Sequence, residues 1–341
     1  MLDSPHNLYI KKFMLCYIIY YFLICHLYNH IFNLREIMLC SCGNEAFYYQ
    51  KYSNRHLCKE CFKKDIERRA KKVLGKDIIR NNVKIGIGIS GGKDSLVMAY
   101  ILKELFKHIP NAKLICFFVD EGIKGFRNIA EKYVKEFCKE YNLDLKIIKF
   151  EDEIGYTLDE IVKNDYLSKL NIGKPCSFCG VVRRYLLNKH ALKEGCDYLA
   201  IGHNLDDFCQ TILMNYVEGN IKNIIQFGKE FEGGGFVKRI KPLKLIPEEE
   251  VKLYAEINNI KYQREPCPYS SLSYRHRMKK VIEILEEEKP GVKFSILRGY
   301  EKLLKYLNVK EEIRRCEICG FPCSGNICKV CSWLIKLKEI K

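Results

Sequence analysis

The chain is short of acidic residues, and it contains neither a low-complexity tract nor a repeated domain. Its 341 residues include 42 Asp and Glu against 58 Lys and Arg, which gives a formal net charge of +16. Such an excess of positive charge indicates a polyanionic partner or an acidic membrane surface. The length predicts two or three domains with a proper core.

Cysteine, in contrast, is abundant. Most of the 18 cysteines lie in short C-x-x-C-like clusters, and nothing else about the chain is typical of a small secreted scaffold. The clustering therefore favours metal ligation in a reducing compartment over disulfides, and we expect a cytoplasmic protein.

Residues 1–37 do not fit that description. Phe13–Leu27 is almost wholly apolar and follows two lysines, as in a signal or a short membrane anchor. No A-x-A cleavage site follows it, and it is short for a membrane span. We therefore favour translation from Met38, directly before the first cysteine cluster, and expect no membrane association.

The segment VKIGIGISGGKDS, residues 83–95, predicts a buried strand that leads through a glycine turn into a helix. Two glycines, the free N–H groups of the first helical turn, a lysine and two hydroxyls together make an anion site. The segment lacks the Walker A spacing, and it resembles the PP-loop of the ATP pyrophosphatases. The predicted nucleotide-binding residues are Ser90, Gly91, Gly92, Lys93, Asp94 and Ser95.

Strands then alternate with helices, which predicts an α/β domain with a Rossmann-like parallel sheet covered on both faces. Ligands of such sheets bind at the carboxyl ends of the strands. Asp120 and Gly202 fall at such ends, so we assign both to the nucleotide pocket.

Asp206 and Asp207 follow in the motif GHNLDD and are predicted to lie in the first turn of a helix. Two carboxylates there can simply complement the helix dipole. Beside an ATP site they can also hold Mg²⁺ or orient a nucleophile, and we favour this functional interpretation.

Cysteine pairs at both ends of the chain have the spacing of structural zinc sites. The candidate ligands are Cys40, Cys42, Cys58 and Cys61 at one end, and Cys316, Cys319, Cys328 and Cys331 at the other. The first pair is C-x-C, tighter than usual, and His56 is a substitute ligand if one of its members is not used. Cys323 is expected to be a spare.

A third set consists of Cys176 and Cys179, in KPCSFCG, and the remote Cys267, in REPCPYS. Three thiolates are one short of a closed zinc site. They suit either an Fe–S cluster with an exchangeable iron or a thiol set that passes sulfur. We expect the two proline-flanked cysteines, Cys176 and Cys267, to lie in loops. The alternative is a redox pair, Cys176 and Cys179, with Cys267 unrelated.

Two basic stretches accompany these motifs, namely a predicted helix over residues 62–81 and the segment 275–280. Charge runs are often only solvated helix faces. Beside a zinc module and a cysteine site, however, they are also suited to contact a nucleic-acid backbone.

SGGKDS, C-x-x-C-G with a basic helix, GHNLDD and the later C-P-Y together resemble the TtcA/TtuA family of tRNA 2-thiouridine synthetases. The resemblance covers the chain from Met38 onward. It implies a [4Fe–4S] cluster on the three cysteines, ATP contact by Arg183 and a catalytic aspartate at Asp206 or Asp207. It also implies zinc ribbons at both ends and, as sulfur donor, a ubiquitin-like carrier protein or free sulfide.

The resulting prediction is an enzyme, an ATP-dependent tRNA uridine 2-sulfurtransferase. ATP adenylates uridine O2, and a sulfur nucleophile then displaces AMP from C2. Expected components are ATP, Mg²⁺, two Zn²⁺ ions and tRNA, and a homodimer is possible.

The alternatives are a lysidine synthetase-like ligase and a non-enzymatic zinc-ribbon RNA-binding protein. The predicted segments are 1–37 (leader), 38–80 (zinc knuckle and basic helix), 81–310 (catalytic domain) and 311–341 (zinc ribbon).

Overall fold

The computed structural model describes residues 38–228, 235–270, 275–307 and 313–340. The predicted leader lies outside these residues. The described chain divides into two compact units, of which the smaller comprises residues 38–50 and 54–61 and the larger the remainder.

The small unit is a cysteine-bearing loop followed by a hairpin. Strands β1 (Tyr48–Gln50) and β2 (Arg55–Leu57) pair antiparallel. A short 3₁₀ turn, Lys51–Ser53, connects them. Helix α1 (Lys59–Ile78) begins directly after the hairpin.

A five-stranded parallel sheet forms the centre of the large unit. Its spatial order is β5-β4-β3-β6-β7. The strands are β3 (Lys84–Ile89), β4 (Lys113–Asp120), β5 (Asp144–Lys149), β6 (Tyr198–Ile201) and β7 (Lys238–Ile240). Strand β3 is central and alternates buried isoleucines with glycines, as expected for a strand covered on both faces. The predicted fold class, an α/β domain with a parallel sheet and cysteine clusters at both ends of the chain, is confirmed.

Helices cover this sheet and extend beyond it. The helices after α1 are α2 (Lys93–Phe106), α3 (Arg127–Glu140), α4 (Phe150–Ile154), α5 (Leu158–Lys163), α6 (Tyr166–Lys169), α7 (Pro175–Lys193), α8 (Leu205–Val217), α9 (Ile221–Gly228), α10 (Glu248–Ile257), α11 (Arg275–Glu288), α12 (Val292–Tyr306) and α13 (Lys329–Ile340). A final two-stranded ribbon pairs β8 (Arg314–Arg315) with β9 (Pro322–Cys323).

Two apolar clusters position the site. One joins the α7 face of the sheet to the C-terminal ribbon, through residues such as Phe117, Leu186 and Leu337. The other holds α8, α9, α11 and α12 together around Leu205 and Tyr300. Helix α7 is thus packed tightly on the sheet, and helices α8, α11 and α12 form a second cluster of their own.

One local expectation is wrong. Cys176 lies in the first turn of α7 and not in a loop, because Pro175 occupies the first helical position, where its missing N–H has no cost. The basic segment 275–280 forms the first part of α11. Strand β7 ends at Ile240, and a turn that begins at Pro242 follows it.

Within the described residues, no helix is both long enough and apolar enough to cross a bilayer.

Candidate functional site

The loop after β3 is closed by its own serines. The Ser90 N–H donates to Ser95 Oγ at 3.0 Å, and Ser95 Oγ donates to the Gly92 carbonyl at 2.9 Å. Gly92 is the N-cap of α2, and no side chain caps it. Gly91 has φ +86°, and a Cβ there would lie 3.0 Å from Ala130. The first-turn N–H groups of α2 thus have no side-chain cap and are the donors that an anion site uses.

Lys93 lies at the start of α2 between two carboxylates. Its Nζ is 2.9 Å from Asp94 and 2.8 Å from Glu248, and Glu248 also pairs with Lys279 at 2.7 Å. Burial would raise the pKa of Glu248, but the two lysines outweigh burial and lower it to about 2. Glu248 therefore stays ionised and holds both lysines beside the loop.

The end of β6 lies directly against the loop. A Cβ on Gly202 would come within 3.1 Å of the Ser95 nitrogen and 3.2 Å of the Asp94 backbone, so any larger residue would press on the loop backbone. Asn204 donates to Asp94 Oδ1 at 2.8 Å and also forms a capping box with Asp207 at the start of α8. The predicted convergence of SGGKDS and GHNLDD at one sheet edge is therefore present.

The two aspartates of GHNLDD have different environments. Asp206 is buried, pairs with Lys293 at 2.6 Å and accepts the Glu248 N–H at 2.7 Å. Asp207 faces Arg275 at 2.9 Å. Burial raises the pKa of Asp207 to about 6, against the pull of Arg275. Asp206 is thus held by two close contacts, while the pKa of Asp207 lies above its usual range but below neutrality.

Glu121, a buried carboxylate that no sequence motif marks as functional, joins the loop to the cysteine site. Arg127 pairs with Glu121 at 2.6 Å and donates to the Ser90 carbonyl at 3.1 Å. On its other side, Glu121 faces Arg183 at 3.4 Å and Cys179 Sγ at 3.9 Å. The neighbouring Asp120, predicted for the pocket, instead accepts the Gly122 N–H at 2.8 Å and shapes the turn.

The three candidate catalytic cysteines come from two segments. Cys176 and Cys179 share the first turn of α7, and Cys176 Sγ donates to the Tyr269 carbonyl, two residues after Cys267, at 3.4 Å. Burial raises the pKa of Cys179 to about 12 and also raises that of Cys267. The three thiols do not form a tight group such as one zinc ion gathers. A cubane cluster needs a wider spacing, because each of its ligands binds a different iron.

The terminal cysteine sets do form tight groups. In each set, all four sulfur atoms lie within 4.8 Å of one another. Backbone N–H groups of Cys42 and Cys58 lower the pKa of Cys40 to about 6. At the other end, burial raises the pKa of Cys316, but backbone N–H groups outweigh it and bring the value to about 6. Both groups, composed as predicted, fit a tetrahedral thiolate site, and Cys323 belongs to neither.

A cleft of about 1760 Å³ opens beside these elements in the large unit. Of the predicted residues, its wall includes Ser90, Gly92, Asp94, Ser95, Arg183 and Gly202. His203 also lines it, with a buried Nδ1 that has no partner among the described residues. Burial, followed by the nearby cations, lowers the pKa of His203 to about 3, so it is a neutral imidazole in a positive environment.

Comparison with protein-family models identifies two matches. The PP-loop domain model covers residues 62–285, and the N-terminal LIM domain model of the 2-thiouridine synthetase TtuA covers residues 39–63.

Relatives match over most of the chain. The tRNA 2-thiolation protein NcsA of Haloferax volcanii is 34% identical, covering 88% of this chain and 98% of its own. The tRNA-5-methyluridine(54) 2-sulfurtransferase of Pyrococcus horikoshii is 36% identical, covering 88% and 94%. The solved U34-tRNA thiolase NcsA of Methanococcus maripaludis, with its [4Fe–4S] cluster, is 47% identical with a TM-score of 0.80, covering 88% and 96%.

These matches confirm the predicted family, the fold class and the assignment as a tRNA-thiolating enzyme. The roles of individual residues and the domain bounds stay predictions. The chain belongs to the PP-loop family of tRNA 2-thiolation enzymes.

Proposed function

We propose that this enzyme activates a tRNA uridine with ATP and then replaces the uridine O2 with sulfur. The network of Arg127, Glu121, Arg183 and Cys179 carries the proposal, because it links an anion-binding loop to a cysteine site within a few ångströms. A ligase that delivers an amine has no use for those thiols, and a passive RNA-binding protein has no use for the loop.

In the first step, O2 attacks the α-phosphorus of ATP. The O2–phosphorus bond forms, the bond to the β-phosphate oxygen breaks, and pyrophosphate leaves onto residues 90–95. Arg183, half-exposed on the cleft wall, neutralises phosphate charge. Lys93 is held beside the loop by Glu248 and can meet the leaving group.

Magnesium would accompany ATP. Asp94 is the candidate ligand because its carboxylate lies on the cleft wall next to the loop, and the ion would replace Lys93 or Asn204 as its partner. The ion would draw charge from the phosphates.

Asp207 is the better candidate for the catalytic aspartate. Asp206 already pairs with Lys293 and accepts a hydrogen bond from the Glu248 N–H. Asp207, in contrast, is ionised at neutral pH and lies at the start of α8 beside Asn204 and Asp94. A carboxylate there can orient the uracil ring or accept its N3 proton, which makes O2 more nucleophilic.

In the second step, a sulfur nucleophile attacks C2, the C2–O2 bond breaks, and AMP leaves with the former uridine oxygen. Cys176, Cys179 and Cys267 would hold the [4Fe–4S] cluster, which the Methanococcus maripaludis relative contains. When bound, the cluster supplies an iron position for the incoming sulfur. A ubiquitin-like carrier or sulfide is the donor.

The two terminal cysteine groups would each hold one structural Zn²⁺, since their sulfur atoms lie close enough together to bind one ion.

The target uridine and the location are inferred from the relatives. We assign the target as uridine 34, because the relative named for that position is 47% identical and the one named for position 54 is 36% identical. Relatives in Drosophila are named cytoplasmic, and we propose the same location. The homodimer stays a prediction.

Two variants separate the two steps. Lys93→Ala removes a charge that meets pyrophosphate and should reduce tRNA-dependent pyrophosphate release ~10²–10³-fold. Cys267→Ala leaves the loop intact and should abolish 2-thiouridine while one turnover of pyrophosphate release survives. Lys107→Ala, at the far end of α2, and Cys323→Ala, the spare cysteine, are the matched controls.

Mass spectrometry of nucleosides from the reacted tRNA reports the second step, and digestion fragments report the position. Normal thiolation by the Cys267→Ala protein would contradict the three-thiolate site. Thiolation at a uridine other than 34 would contradict the positional assignment alone.

A further inference from the structure

We propose that Arg184 and Arg239 form a phosphodiester-binding site for the RNA backbone, separate from the phosphate loop. This inference rests on the proposed tRNA substrate and identifies where its backbone is held. Arg184 projects from α7 and Arg239 from the edge strand β7, and both line the same cleft.

Among the residues that the structure describes, no carboxylate lies within ion-pair distance of the Arg184 or Arg239 guanidinium. The acidic residues on the cleft wall are Asp77, Asp94, Glu218 and Glu301. Of these, Asp94 and Glu301 are already paired, with Lys93 and Lys244 respectively.

The two guanidinium groups also repel each other. Burial lowers the pKa of Arg239 to about 10, and Arg184 lowers it further in the same direction. Two positive charges that line one cleft without a carboxylate partner among the described residues favour the binding of an anion there.

Sheet register places this site away from the phosphate loop. Arg239 is aligned with Leu199, and Leu199 is aligned with Gly86, four residues before Ser90. The Cα of Arg239 therefore lies roughly 13 Å down the sheet from Ser90 and roughly 10 Å across it. A phosphate seated on residues 90–95 does not occupy that position, so an anion bound by Arg239 is a different one.

Arg184 lies near both Arg239 and the cysteine site. A Cβ on Gly180 would be 3.5 Å from Arg184 Nη1, so the guanidinium folds back over the first turns of α7, beside Cys179. A backbone held by Arg184 and Arg239 thus runs past the cysteine site. Arginine suits this task because its planar fork binds phosphate oxygens bidentately.

The test measures tRNA affinity over a range of salt concentrations for Arg184→Ala and Arg239→Ala. The probe is bulk tRNA from a strain that lacks this gene. Each variant should weaken binding ~10-fold or more and reduce the slope of log affinity against log salt by about one. The KM for ATP should stay within about twofold of wild type.

Lys189→Ala is the matched control, because it removes a charge from the same helix at a residue that pairs with Glu153 outside the cleft. It should leave tRNA affinity nearly unchanged. Arg239→Lys keeps the charge and should recover most of the lost affinity.

Unchanged tRNA affinity in both alanine variants would overturn the proposal. A parallel loss of ATP affinity would also overturn it, because the arginines would then serve the nucleotide pocket or the fold. Failure of the proposed function is a separate result, in which the wild-type enzyme itself does not thiolate tRNA.

Discussion

Asp207 should set the acidic limb of the pH–activity profile. Burial raises its pKa to about 6, and repulsion from Asp94 and Glu248 adds to this, while Arg275 and the Asn204 N–H oppose it. If the carboxylate must be ionised, kcat/KM should rise with pH up to about 6 and fall ~10-fold per unit below it. The neighbouring groups do not account for this limb, because the pKa of Glu248 is lowered to about 2 and that of His203 to about 3.

Arg275→Ala tests this origin of the limb. A neighbouring arginine usually lowers an aspartate pKa by about 1–3 units. Because the Arg275 side chain is 38% exposed, water screens its charge, and we expect an effect of about one unit. Loss of Arg275 should therefore move the limb from about 6 to about 7, and activity at pH 6 should drop several-fold while activity at pH 8 stays similar.

The assay is initial-rate pyrophosphate release at subsaturating tRNA from pH 5 to pH 9. Arg277→Ala is the matched control, since it removes an exposed charge from the same helix without contact to Asp207. A limb that stays at the same pH in Arg275→Ala, or that moves equally in both variants, would refute the assignment to Asp207.

Three further results are expected. Gly202→Ala should raise the KM for ATP ~10-fold or more, because its Cβ would press on the loop backbone, whereas Gly173→Ala, which meets no atom within 4 Å, should not; equal effects would contradict the close approach. Glu121→Gln should lower the free energy of unfolding by about 3 kcal/mol, since Arg127 would be left as a buried, unpaired charge; a urea-melt change below about 1 kcal/mol would show that the pair is dispensable. Elemental analysis should find about two zinc ions per chain and about one in Cys328→Ser, and absence of zinc from folded protein would remove both ribbon assignments.

The sequence was sufficient to predict the loop, the parallel sheet and the terminal cysteine groups. In each case the deciding residues are close together in the chain, as with the alternation of residues 83–89 and the paired cysteine spacings. For such residues, the local backbone geometry is enough to predict a strand, a turn or a pair of metal ligands.

The sequence was not sufficient where a role depends on distant partners. Asp206 and Asp207 occupy one helical turn, and only the packing of Lys293 against one and Arg275 against the other distinguishes them. The role of Glu121 could not be predicted for the same reason, because it depends on contacts with Arg127 and Arg183, which lie in two different helices.

The most direct test of the central claim follows the uridine oxygen. A tRNA whose target uridine carries oxygen-18 at O2 is reacted for one turnover with ATP and a sulfur donor, and the AMP is examined by mass spectrometry. Adenylation of O2 followed by sulfur attack at C2 predicts that AMP carries the heavy oxygen and that the uridine becomes 2-thiouridine. Formation of 2-thiouridine together with unlabelled AMP would contradict this mechanism.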